Sequence, residues 1–183
     1  MSRVPPASPE AIPAHLHDAF EMATKGHTPT GMRASLLYSP EASHRAHHWA
    51  DYLRTETGVL TKRIQELAML VVARELDCPF IWNAHARIGR DAGLSSQLVD
   101  ALRDKKPLSG LRPDEKALIG FGQEWYRTRR VSQNTFDEVH TQFGAQGVAE
   151  LVMLMGFYAM LAFNAAAFGL QVPPGHTETL LPV

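Results

Sequence analysis

Proline placement constrains this chain more than any other feature. Pro5, Pro6, Pro9, Pro13 and Pro29 punctuate the first thirty residues, and then none occurs between Glu41 and Cys78 or between Asp114 and Val172. A proline inside a helix removes a backbone donor and clashes with the preceding turn, so these two stretches are where uninterrupted helix can run. The capping signals agree. Ser39-Pro40-Glu41 supplies an N-cap, an N1 proline and an early acid for a helix to about Thr55. Thr61 caps a second helix to about Asp77, and Leu67 to Ala73 within it is apolar on every side, so those turns must be enclosed. Pro79 opens a third helix that stops before Gly93, and Ser95 caps a fourth from Gln97 to Lys105. Pro113-Asp114-Glu115 opens a fifth to about Arg130, whose basic last turn suits the negative end of the dipole. Ser132 starts a short helix to Phe143, and Val148 starts a long apolar one. No run alternates apolar and polar residues as a strand would, so the expected fold class is all-α, a bundle of about seven helices without a significant sheet.

Length and charge bound the function. The 183 residues suit one domain, and 45% apolar with 20% charged residues is a globular composition. With 18 Lys+Arg against 19 Asp+Glu the formal charge is -1, which lacks the basic footprint of a nucleic-acid binder. Cys78 stands alone, so neither an internal disulfide nor a CxxC redox pair can form. Met1 to Pro13 has no apolar core and does not read as a signal peptide. Leu151 to Leu170 has the length of a membrane span, but its glycines and five alanines favour a buried helix of an oligomeric core. The expectation is a cytoplasmic protein without membrane or nucleic-acid partners.

Glu66 to His85 is the stretch that could carry chemistry. Cys78 precedes Pro79 and so sits at a helix N-cap, where unpaired N–H groups favour a thiolate and Asp77 opposes it by like charge. Ile81, His85, Ile88 and Ala92 recur at helical spacing and place His85 on an apolar stripe. His85 reads either as a hydrogen-bonded core histidine or as a general acid or base. Glu66 is equally two-sided: Lys62 and Arg63 suggest a solvated ion-pair face, whereas Met69, Leu70 and Ala73 suggest a partly dry carboxylate.

Glu66, then Cys78 and His85, together with Arg63-Ile-Gln-Glu-Leu-Ala, Trp82-Asn-Ala-His85, Arg87-Ile-Gly-Arg-Asp-Ala-Gly-Leu94 and the helix from Leu151 to Asn164, resemble the alkylhydroperoxidase-D-like, or carboxymuconolactone decarboxylase, family. The resemblance spans roughly residues 39–174, flanked by a Pro/Gly-rich arm at 1–38 with room for a short helix and a tail at 175–183. It implies an all-α homotrimer or homohexamer with the active site near subunit contacts. One departure decides between branches. The peroxidase branch has a second cysteine three residues after the first, and here that position is Ile81. Without a resolving thiol the disulfide cycle cannot close within one chain.

The decarboxylase branch needs no such pair. It implies cofactor-free loss of CO2 from a carboxylated lactone or related small acid, with His85 delivering the proton and Glu66 assisting. Trp82, Ile81, Arg74 and Asn164 are then the expected substrate contacts, and Arg87 and Arg63 further cations near in sequence. Cys78 reads first as a small buried filler; a peroxidase using Cys78 alone and a non-catalytic ligand-binding oligomer are the alternatives. No cofactor or resident metal is expected. His44, His47 and His48 lie at i, i+3 and i+4, a spacing that can share a metal but also suits a polar face. Trp49, Trp82, Trp125 and Phe121 could line a ring pocket or simply fill core, and Gly120 and Gly122 suggest close helix packing.

Overall fold

The computed structural model describes residues 2–55, 59–176 and 178–183. Among them are eight α-helices and no strand: α1 (His17–Thr24), α2 (Gly31–Leu36), α3 (Pro40–Thr55), α4 (Lys62–Glu75), α5 (Pro79–Asp91), α6 (Ser96–Arg103), α7 (Pro113–Thr128) and α8 (Gln133–Phe168). Short 3-10 turns occupy Pro9–Ala11 and Ala14–Leu16.

Local chemistry sets the boundaries. The hydroxyls of Thr61, Ser95 and Ser132 each accept the backbone N–H three residues on, from Ile64 (3.4 Å), Leu98 (3.1 Å) and Thr135 (3.3 Å). Arg129 and Gly169 close α7 and α8 in left-handed conformations at φ 63° and 65°. Gly144, at φ 65° and ψ 177°, breaks α8 between the two segments that the sequence predicts there.

Every residue of α4 from Ile64 to Arg74 is buried. The apolar run from Leu67 to Ala73 needs cover on every side, and α5, α7 and α8 supply it. The apolar second half of α8 is long and greasy enough to span a membrane by length and composition, yet half of that window is buried inside the protein, where α8 packs on α4 and α7. Gly122 permits the closest approach: a Cβ there would stand 2.6 Å from Val71 Cγ1 and 2.7 Å from Met155 Cε. Gly120 faces open space, so the packing expectation holds for one of the two.

The N-terminal arm is more ordered than its prolines suggest. Ala7, Ile12, Phe20, Ala23 and Leu37 form a second small core. The arm is tied down by Arg3 N–H to the Phe168 carbonyl (2.8 Å) and Ala7 N–H to the Ala34 carbonyl (3.2 Å). The tail is fastened as well, with Leu181 buried and Glu178 facing Arg90 at 3.4 Å.

Candidate functional site

Glu66 lies in the second turn of α4 and His85 in the second turn of α5, and the packing of these two helices brings them together. His85 Nδ1 stands 2.8 Å from Glu66 Oε2. Lys62, one turn earlier on α4, places Nζ 2.6 Å from the other oxygen, Oε1. The Glu66 side chain is 0% exposed and that of His85 14%. Burial pushes the Glu66 carboxyl up, but the hydrogen bond and charge of His85, then Lys62, outweigh it and hold the group below its usual 4.5. The carboxylate is therefore ionised at neutral pH. An ionised carboxylate only accepts, so Nδ1 carries the proton and Nε2 is left for chemistry.

Tyr158, on α8, meets the His85 ring edge-on with centroids 5.1 Å apart. Burial pushes its phenol up to about 12 even with the Arg54 guanidinium beside it. The hydroxyl is thus a neutral donor. Neither Tyr158 nor Arg54 is singled out by the sequence; the one available signal is a tyrosine inside an otherwise apolar helix, where its hydroxyl needs a polar neighbour.

Cys78 caps α5, as Pro79 predicts, but its sulfur is buried. Burial pushes the thiol above its usual 9.0, and the amides of Phe80 and Ile81 only partly offset that. Cys78 precedes His85 by seven residues, roughly 10 Å of helix rise. The position one turn before His85 belongs to Ile81, which is 2% exposed. The dyad therefore has no thiol at hand.

The remaining expected contacts lie elsewhere. Arg74 is spent on structure: its guanidinium pairs with Asp77 and donates to the carbonyls of Arg103 (2.8 Å) and Pro182 (3.0 Å), fastening the tail. Asn164 does not face the dyad but joins α8 to the arm, accepting from Ser35 Oγ (3.0 Å) and donating to the Met32 carbonyl (3.2 Å). Trp82 and Ile81 are sealed in the main core at 1% and 2% exposure, where apolar bulk is worth most. Arg63 is held by Asp114 and Glu115, and Arg87 pairs on the surface with Asp91. The cation at the dyad itself is instead Lys62, and Arg54 stands beside Tyr158. Lys62 also lines an open cleft of about 900 Å³ with Arg112, Gln142 and Phe143. Trp49 and Trp125 are half-exposed, with Trp49 edge-on to Phe157 at 6.0 Å. Among the described residues no three His, Cys, Asp or Glu side chains converge to hold a metal.

This arrangement of helices has counterparts among solved structures. The alkylhydroperoxidase AhpD core of an uncharacterized peroxidase-related protein from Ralstonia eutropha JMP134 superposes with a TM-score of 0.73 at 18% identity, covering 94% of this chain and 93% of that one. A protein of unknown function from Agrobacterium tumefaciens, ATU0492, described under the antioxidant defence name AhpD, gives 0.67 at 20% identity over 75% of this chain and 94% of that one. The chain has the AhpD-like fold. The same fold is shared by the debrominase Bmp8, a cysteine-to-alanine variant bound to 2,3,4-tribromopyrrole, with a TM-score of 0.65 at 13% identity over 95% of each chain. No family model matches the sequence, and no curated protein matches it. The AhpD-like resemblance read from Glu66, Cys78 and His85 is thus met at the level of the fold.

Proposed function

We propose that this AhpD-like protein is a cofactor-free acid–base enzyme of the carboxymuconolactone decarboxylase type, acting on a carboxylated lactone or related small carboxylic acid. The observation that carries the reading is the 2.8 Å contact between His85 Nδ1 and a fully buried Glu66, with no thiol within a turn of the imidazole. In the proposed reaction the substrate's C–CO2 bond breaks, CO2 leaves, and the electron pair spreads into the conjugated lactone as an enolate. Protonated Nε2 of His85 then delivers its proton to carbon, while Glu66 holds Nδ1–H and the ring orientation. Lys62 and Arg54 offer positive charge to the second carboxylate and the enolate oxygen, and the Tyr158 hydroxyl offers a neutral hydrogen bond.

A second reading is a thiol-dependent peroxidase using Cys78, favoured by the peroxidase-related names of the fold's neighbours. The buried sulfur and its raised pKa weigh against it.

Self-association belongs to the proposal. Val152, Met160 and Phe163 are exposed along one stripe of α8, with Phe163 at 75%, and Gly156 between them faces open space. An apolar helix face of this kind suits the contact of a homotrimer or homohexamer. Turnover of 4-carboxymuconolactone, followed as CO2 release and loss of ultraviolet absorbance, tests the activity. Activity on this lactone with none on alkyl hydroperoxides plus dithiol supports the decarboxylase reading, and the reverse pattern supports the thiol.

A further inference from the structure

We infer that the cleft between α1, α2 and α3 is a second binding site, one that takes a small carboxylic acid. It encloses about 320 Å³, within the range of small-molecule pockets. His44, His47 and His48 of α3 form one wall, and His27, on the connection after α1, joins them. Lys25, the C-terminal cap of α1, and Arg33 of α2 add two permanent positive charges, whereas Asp51 is the single carboxylate of the lining. The cleft shares no residue with the Glu66–His85 dyad or with Lys62, Arg54 and Tyr158 near it.

The donor geometry favours an oxyanion over a metal. The rings of His44 and His48 are 6.4 Å apart and tilted by 52°. His47 Nδ1 is engaged by the Ser43 carbonyl at 2.7 Å, which leaves only Nε2 for a ligand. The imidazoles are thus spread around the wall rather than aimed at one point, and metal coordination needs convergence. Arg33 supplies the more specific sign. One terminal nitrogen donates to the Ala23 carbonyl and anchors the guanidinium beside the cleft. The guanidinium so held carries its fixed charge at the cleft lining, where a carboxylate gains a charge-assisted interaction. Ala23 and Leu37, both buried, and Pro29 give the cleft an apolar side. A carboxylate attached to a small apolar body matches both halves.

Calorimetric and NMR titrations of the full chain with sodium benzoate, sodium phosphate and zinc chloride separate the candidates. Saturable binding of one benzoate per chain is expected, with the imidazole signals of His44 and His47 shifting. Arg33→Gln is expected to weaken benzoate binding ~10-fold or more, and Arg33→Lys less, since it keeps the charge and loses the fork. Lys25→Ala, at an exposed position, is expected to weaken it about threefold and keeps the test open if Arg33→Gln does not fold. His85→Ala is expected to leave benzoate affinity unchanged. Absence of saturable benzoate binding overturns the proposal, as does an affinity that ignores both Lys25→Ala and the Arg33 substitutions. Saturation by phosphate alone overturns the carboxylic-acid assignment, and zinc shifting the same imidazoles in place of benzoate overturns the oxyanion reading.

Discussion

Cys78 at the start of α5 and Glu66 on the facing α4 are both buried, and their surroundings push them in opposite directions. Cys78 occupies a helix N-cap, a position that by itself lowers a thiol's pKa, yet enclosure in the core raises it above 9.0. Glu66, equally enclosed, moves the other way, because His85 and Lys62 supply charge and hydrogen bonds that exceed the cost of burial. Burial is common to both places. The difference lies in the partners: ionised groups meet at the dyad, and Ile81 is the neighbour where a second thiol would stand. A helix end does not make a cysteine reactive when the core closes over it.

The contrast can be broken most sharply at His85. Replacement by alanine removes the proton donor and is expected to lower turnover of the lactone by ~100-fold or more, while thermal melts show the fold retained. Glu66→Gln should have the next largest effect, on the order of 10-fold in rate, because an amide no longer fixes Nδ1–H as a carboxylate does. The same variant should change acid stability. Glu66 has a folded pKa below its unfolded one, so its contribution is present above about pH 4.5 and is lost as pH falls through the folded value. Urea unfolding of the wild type should therefore weaken below that pH more steeply than unfolding of Glu66→Gln. At the other end of α5, iodoacetamide at pH 8 should label Cys78 slower than an unfolded-chain cysteine, and labelling as fast as in denaturant would mark the sulfur as accessible.

Local chemistry made the fold largely readable. Thr61, Ser95, Ser132, Pro40, Pro79 and Pro113 mark helix starts because capping and proline geometry act within a single turn. Glu66 and His85 were readable as candidates for the same reason, each lying at an identifiable position on its own helix. The partners were not. Whether Arg74 meets a substrate or the Pro182 carbonyl depends on where the tail runs, and whether Asn164 meets a pocket or Ser35 depends on where α2 docks. Tyr158 reaches His85 from α8 and Arg54 reaches Tyr158 from α3, through contacts of long sequence separation that no local pattern records. Gly120 and Gly122 make the same point: both look like packing glycines, but Gly122→Ala should cost about 1–3 kcal/mol by overpacking against Val71 and Met155, whereas Gly120→Ala should be neutral or stabilise by up to ~1 kcal/mol in denaturant titrations.

The most direct test of the central claim sets two variants side by side on one substrate. Initial rates of CO2 release from 4-carboxymuconolactone would be compared for wild type, His85→Ala and Cys78→Ser at matched folded concentration. Proton transfer by the dyad predicts a fall of ~100-fold or more for His85→Ala and a change within about threefold for Cys78→Ser. A Cys78→Ser variant as inactive as His85→Ala would contradict it and place the thiol in the mechanism.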